Sequence, residues 1–529
     1  MKKTLIILIT LSIAVVLTAC STEYEQIESS SEFNENVNVC YQIFPISYAD
    51  SSGDGYGDLR GIAENVSYLS ETLNVDCVWL NPFNPSTTYH KYDVTDYYGI
   101  DEDFGTMEDF EYFIETLNTQ DIKVLMDLVI NHSSYHHPWF ETSRNDESSE
   151  KRDWYTWDDL EDRSAFPSSD GWHAHGGSYY YGSFWDQMPE FNYENQDVRD
   201  EMHNIAEFWL DKGIDGFRID AARHIYDVNQ YPRDLNVTNK SVEWFVEFNH
   251  YVKQKNEDAF IVGEVWTDNY DYVANFYDGM DSNFNFQFST DIINALRNGR
   301  DNGIIENLLD SHDAYFNVRE DFIDSIFITN HDQNRIMSEV GHNTEKAKQA
   351  AHILFTLPGI SWIYYGEELG MTGEKPDPAI RQPFIWGSEN PYNTEGSPTG
   401  IRNHRSIQSW DDHNLTLNGV EEQLVDTNSL LNTYRELINI KQNHSVINNG
   451  ELEAIESNRQ LLTYSMNEED TTYLMVHNLS QNEQSFNIDF EYRIVHQSHR
   501  FNHTNDTLTL SPLSSVILDI ESGDVVINP

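Results

Sequence analysis

From residue 38 onward the chain alternates between short apolar runs and longer stretches whose apolar positions recur every three or four residues. The runs at 39–44, 76–80, 122–130, 214–220, 260–264, 283–288, 325–330 and 360–365 have strand length and strand composition. Between them, 106–119 (TMEDFEYFIETLNT), 197–212 and 344–356 each carry one apolar stripe, the pattern of helices that bury a single face. Repeated β–α units over roughly 400 residues predict the α/β class and, within it, a (β/α)8 TIM barrel of parallel strands ringed by helices.

Two stretches break the rhythm. The gap at 133–195, after the third strand, is rich in Trp, Tyr, His and Gly and poor in helical pattern. Connections that long are functional excursions or small domains. After the helical LLNTYRELINIKQNH (430–444), alternating strands with polar turns run to Pro529 and predict a C-terminal antiparallel β-sandwich domain. The barrel is thus expected over 38–132 and 196–445, the insertion over 133–195 and the β domain over 446–529.

Charge narrows the partners. Lys and Arg number 32 against 89 Asp and Glu, a formal net charge of −57 in 529 residues. Such a surface repels phosphate backbones, so nucleic acid is excluded as a partner. The acids are spread along the chain rather than gathered in a tail. That suits a salt-adapted (halophilic) exterior, where the screening length falls to roughly 3 Å at 1 M salt.

The N-terminus gives an address. Lys2 and Lys3 precede an apolar run at 5–17 that is short for a membrane span. It ends Leu17, Thr18, Ala19, Cys20, which resembles a bacterial lipoprotein signal over residues 1–20, with Cys20 the lipidated first residue of a cell-surface protein. The polar stretch 21–37 is expected to be a flexible tether. Cys40 and Cys77 sit in apolar strand-like contexts and are read as buried free thiols rather than a disulfide or metal site.

In a barrel, chemistry sits where strands end. The third strand ends DLVINH, supplying Asp127, Asn131 and His132. The fourth ends GFRIDAARH, with Arg218, Asp220, Arg223 and His224. The fifth ends GEVW, with Glu264, and the seventh ITNHD, with His331 and Asp332. Acids, histidines and arginine converging from four strands are not what a solvated face would select.

DLVINH, GFRIDAARH, GEVW and TNHD, in that order, resemble the signature regions of the α-amylase family of retaining glycoside hydrolases, and MPEFN at 188–192 resembles a fifth. HHPWF (136–140), GSFWDQMPEFNYEN (182–195) and KPDPAIRQPFIW (375–386) are most similar to lipoprotein-type bacterial α-amylases intermediate between amylases and oligo-1,6-glucosidases. The resemblance implies Asp220 as nucleophile, Glu264 as general acid and then base, and Asp332 as the carboxylate that stabilises the transition state. Arg218 keeps Asp220 ionised, and Asp127 is expected as a buried partner orienting Arg218. His132 and His331 contact the sugar, Tyr92 and Asp93 line the floor, and Asp377 and Arg381 bind toward the non-reducing end. Arg223 and His224 resemble the Lys-His pair on the leaving-group side.

ADSSGDGYGDLRG places Asp50, Ser52, Asp54 and Asp58 at alternating positions, with the Tyr56 carbonyl between, and resembles the family's calcium loop. A second calcium is expected through Asn131, Asn192 and the backbone of His224, with Asn192 standing where many relatives carry aspartate. No organic cofactor is expected. The expected function is endo-hydrolysis of α-1,4-glucosidic bonds in starch-like glucans by a monomer. The alternatives are an exo-acting α-glucosidase or transglycosylase on short maltooligosaccharides, and a non-catalytic carbohydrate-binding surface protein.

Overall fold

The computed structural model describes residues 27–29, 31–159, 168, 170–387, 412–499, 501–504 and 506–522. Cys20 and the signal-like stretch lie outside them.

Eight parallel strands close into a barrel: Val39–Ile43, Cys77–Leu80, Lys123–Leu128, Gly216–Ile219, Phe260–Gly263, Ser282–Phe284, Ile323–Phe327 and Ile360–Tyr364. Neighbours in sequence order are hydrogen-bonded, and the eighth strand pairs with the first through Val39 and Ser361. All eight predicted runs are strands of this barrel. The sixth ends earlier than the pattern suggested, because Asn285 caps a helix that starts at Phe286. The amphipathic stretches become helices Met107–Asn118, Gln196–Asp211 and Thr344–Leu354. The first is opened by Thr106, whose hydroxyl accepts from the Asp109 amide while Asp109 accepts in return.

Two cores hold the barrel. Strand residues facing outward pack against the helices around fully buried Trp209 and Trp244. Those facing inward, among them Trp79, Leu125, Val262, Phe284 and Trp362, fill the interior, so the barrel is a packed core and not a channel. Gly263 shows how tightly it closes: a Cβ there would overlap Met280 Sδ and Asn283 Oδ1.

Two expectations are corrected. Cys40 and Cys77 are buried, but they form a disulfide rather than free thiols. They are directly paired on adjacent parallel strands with Cα atoms 4.5 Å apart, a register that neither local sequence reveals. Part of the stretch expected to be a free tether is packed: Phe33 and Val37 are buried in the barrel interior core. Two apolar residues spaced four apart in a polar stretch suffice to dock one helical turn.

The insertion holds helix Pro138–Asn145 and a three-stranded sheet of Trp157–Asp158, Trp172–His175 and Ser178–Tyr181. C-terminal to the barrel, antiparallel sheets of five and three strands share a core that includes Leu474, Val476, Phe486, Leu508 and Leu518.

Candidate active site

The fourth and fifth strands are in register, Ile219 opposite Gly263. The next residue of each, Asp220 and Glu264, therefore leaves the sheet at one level. Between them lies Arg218, fully buried. Its Nη1 donates to Asp220 Oδ1 at 2.8 Å and to Asp127 Oδ1 at 2.6 Å, and its Nη2 lies 2.8 Å from Glu264 Oε2. Glu264 Oε2 also accepts from the Ala221 amide at 2.9 Å. To present that amide, Ala221 adopts a left-handed backbone, φ 48°, a conformation that costs about 1 kcal/mol or more for a residue with a Cβ.

Asp127 also accepts from Tyr92, Trp79 and Asn81, so its role is to hold Arg218 and Tyr92 in place. Opposite stands Asp332, whose Oδ1 accepts from Arg381 Nη2 at 2.6 Å and whose Oδ2 lies 3.2 Å from His331 Nε2. Gln42 Nε2 donates to His331 Nδ1 at 2.8 Å, which leaves the proton of the neutral ring on Nε2, facing Tyr92 Oη and Asp332. His132 is set the same way: Asn131 Nδ2 donates to its Nδ1 and its Nε2 meets the Tyr92 carbonyl at 3.2 Å.

The titrations diverge. Burial drives Glu264 up to about 8, against Arg218 and with help from Asp220 and Asp332. Burial raises Asp220 above its ordinary value too, with the Arg218 charge and hydrogen bond pulling it back. Burial also acts on Asp332, but His331, Arg381 and Lys375 outweigh it and hold this carboxyl well below the usual range. Burial lowers His132 to about 4, so it is neutral at physiological pH. Glu264, which keeps its proton up to about 8, thus faces Asp332, which is held ionised, and acid catalysis needs such a protonated carboxyl beside an ionised one.

These groups open on one cavity of about 410 Å³, lined by Tyr92, His132, Asp220, Arg223, His224, Glu264, Asp332, Asp377 and Arg381. Arg218 and His331 lie just behind the wall. Asp93 is a correction: it is fully buried and turned away, accepting hydroxyls from Ser86, Thr87, Thr88 and Ser134. Neighbouring residues of an extended segment point to opposite sides, so Tyr92 takes the floor and Asp93 cannot.

His90, Phe184, Trp185, Met188, Ala221 and Trp266 complete the lining, and of these only Trp185 is among the insertion aromatics that the sequence offers for stacking on sugar faces. Trp266, 41% exposed, is stacked on Phe286, and its carbonyl accepts from Arg223 Nη1 at 2.7 Å. Phe184, 50% exposed, meets the rings of His132 and His224. The available signal was position: Trp266 closes GEVW and Phe184 lies in GSFWDQ. Of the other insertion aromatics, Trp154, Trp172, Tyr180 and Tyr181 are buried within that small domain.

The calcium candidates divide. Among the described residues, no three His, Cys, Asp or Glu side chains converge as a metal site. In the 50–58 loop, Asp50 accepts from the Gly53 and Gly55 amides, both at 2.7 Å, and Asp54 from the Tyr56 amide. Asp58 is engaged as a helix cap, accepting from Gly61, and also bonds Ser51. The three carboxylates, the Ser52 hydroxyl and the Tyr56 carbonyl are hard oxygen donors of the class calcium takes. Here, however, Asp50 and Asp58 turn both carboxylate oxygens to the loop's own amides and hydroxyls rather than to one shared point. At the second site, Asn192 Nδ2 donates to the Asp153 carbonyl at 3.0 Å while its Oδ1 accepts from the Glu194 amide at 3.2 Å. The carboxyl beside this position is Glu190, bridged to His132 through the backbone, with a buried Oε2 that lacks a hydrogen-bond partner.

Comparison with known proteins agrees with this geometry. Residues 42–450 match the model of the alpha amylase catalytic domain, and 461–517 that of the alpha-amylase SusG C-terminal domain. The chain is 39% identical over 488 residues to alpha-amylase 3 of Dictyoglomus thermophilum, covering 91% of this chain and 93% of that one. It is 31% identical to a 4-alpha-glucanotransferase of Thermotoga maritima, covering 85% and 97%. The crystal structure of an alpha-amylase from H. orenii superposes with a TM-score of 0.81 at 33% identity, covering 92% of this chain and all of that one. The chain therefore belongs to the α-amylase catalytic-domain family and is a glycoside hydrolase.

Proposed function

We propose that the protein is an endo-acting α-amylase that cleaves α-1,4-glucosidic bonds of starch and maltooligosaccharides with retention. The carrying observation is that one guanidinium bridges two carboxyls from adjacent strand ends, Asp220 and Glu264, at the wall of an open cavity. Glu264, protonated, gives its proton to the glycosidic oxygen as that bond to the anomeric carbon breaks. Asp220 closes on the same carbon, forming a glycosyl ester. Glu264, now a carboxylate, removes a proton from water, whose oxygen attacks the anomeric carbon and releases Asp220. Asp332, His132 and Tyr92 hold the sugar while charge develops, and Arg223, His224 and Trp266 receive the leaving chain.

A second reading, transglycosylation of short maltooligosaccharides, draws on the exposed rings of Trp266 and Phe184. A sugar stacked there would compete with water for the ester. Incubation with soluble starch, maltotriose and isomaltose separates the readings. Early loss of starch viscosity supports endo-hydrolysis, longer products from maltotriose support transfer, and glucose released singly supports exo action. No conversion of any of them, in high salt with calcium present, overturns all three and leaves a binding protein.

The finer assignments follow the same reading. Calcium, structural and not catalytic, is held by Asp50, Ser52, Asp54, Asp58 and the Tyr56 carbonyl. The protein is a monomer on the bacterial cell surface, anchored through lipid on Cys20 and adapted to salt by its acidic surface. Support for the anchor is the apolar run ending Leu17, Thr18, Ala19, Cys20. No helix among the described residues is long and apolar enough to cross a membrane.

A further inference from the structure

The segment at 27–37 meets the barrel at the end opposite the catalytic cavity. Phe33 is fully buried and stacks on Phe260, ring centroids 4.3 Å apart and planes 3° from parallel. Phe260 opens the fifth strand. The core that receives Phe33 and Val37 also contains Ile323 and Ile360, the first residues of the seventh and eighth strands. The catalytic carboxyls follow the last residues of their strands, so Phe33 closes the floor of the barrel whose mouth is the active site.

The chain before Phe33 is held as well. The Ser29 amide donates to Asp321 Oδ2, and Arg319, itself buried, donates to the Ile27 carbonyl. Arg319 is fixed in turn by the Tyr277 and Met280 carbonyls at 3.1 and 2.9 Å. Both attachments belong to the loop that enters the seventh strand, again on the floor.

We infer that residues 27–37 are a strap that turns the catalytic mouth away from the membrane, the partner surface being the lipid bilayer that faces the barrel floor. This rests on the reading that Cys20 carries the lipid. Between Cys20 and Ile27 lie residues 21–26, a leash that spans about 25 Å at full extension, taking ~3.6 Å per residue. A compact chain of this length has a radius of gyration of about 24 Å and a diameter near 60 Å. A leash that leaves from the floor is too short to bring the mouth to the bilayer. Polymeric glucan then meets an outward-facing cleft that the membrane does not obstruct.

The test uses the full acylated chain in phosphatidylcholine vesicles containing acceptor-labelled lipid. One exposed cysteine carries the donor dye, either at the floor (Glu320→Cys) or near the mouth (Asp186→Cys). Energy transfer to the lipid is expected to be several-fold stronger from the floor. Lengthening the leash by about twenty Gly/Ser residues between Cys20 and Ile27, a flexible coil, is expected to erase that difference while maltooligosaccharide hydrolysis in solution stays unchanged. Phe33→Asp with Val37→Asp should do the same by releasing the strap, and the lengthened chain keeps the test open if that variant does not fold. Mass spectrometry of Cys20 comes first. No lipid there overturns the anchoring reading and the inference with it. Lipid present with equal transfer from both dyes, or a difference that survives the long leash, overturns the inference alone.

Discussion

Arg218 lies 2.8 Å from Glu264 Oε2 although it belongs to the strand that carries Asp220, to which it donates at the same distance. One buried cation therefore serves two carboxyls that catalysis needs in different protonation states. Burial outweighs it at both, lifting Glu264 to about 8 and Asp220 above its ordinary value, while the Arg218 charge and hydrogen bond pull Asp220 back toward the ionised form.

Glu264→Gln should lower hydrolysis of starch by a factor of about 10² to 10⁴, the usual contribution of a general acid, while starch binding persists. In the unaltered enzyme the acid is active only while protonated, so kcat/KM should fall as pH rises through about 8. A pH–rate profile flat across that range, or near-normal turnover in the variant, would remove Glu264 from the role.

Arg218→Met leaves Asp127, Asp220 and Glu264 buried without their shared counter-charge. Breaking such a network costs about 3–5 kcal/mol, measurable as a lowered urea midpoint. Arg218→Lys restores charge but not the two-pronged geometry. It should recover stability in part and activity hardly at all; equal recovery of both would contradict the bridging role.

Trp266→Ala removes a half-exposed ring from the cavity edge. Aromatic contacts are worth about 0.5–1.5 kcal/mol, so KM for long maltooligosaccharides should rise roughly 2- to 10-fold with kcat little changed. Phe at this position should restore most of the loss. An unchanged KM for maltoheptaose would place the ring outside the substrate path.

Glu367 is buried behind the eighth strand, accepting from Tyr434 and Thr329, and burial raises it from 4.5 to about 8. A carboxyl raised on folding contributes stability fully present below pH 4.5 and lost as pH climbs through about 8. Glu367→Gln cannot ionise, so its urea midpoint should decline less between pH 6 and 9 than that of the parent chain. Parallel declines would show that Glu367 does not govern this limb.

Calcium removal should lower the thermal midpoint. At 100 times its dissociation constant, a bound ion adds about 2.7 kcal/mol. Asp50→Asn and Asp54→Asn should abolish the difference between calcium and chelator while leaving hydrolysis at low temperature intact. A variant that still responds to calcium fully would move the site elsewhere, with Asn131 and Glu190 the next place to look.

Hydrophobic period and strand termini are local properties, so the barrel, its eight strands and the strand ends that carry chemistry are legible in the residues alone. Strand-end position placed Asp127, Asp220, Glu264 and Asp332 together as candidates, and the family resemblance, not position, implied the last three as the catalytic trio. Contacts made across the chain arise only once it has folded. Cys40 meets Cys77 through strand register. Asp93 faces hydroxyls while its neighbour Tyr92 faces the cavity. Phe33 finds the floor of a barrel that does not exist until its strands have closed. The divergent titrations depend on burial and on charges brought from four strands, which no stretch of sequence contains. The segment GFRIDAARH names Arg218 and Asp220; only the closed barrel sets Glu264 beside them.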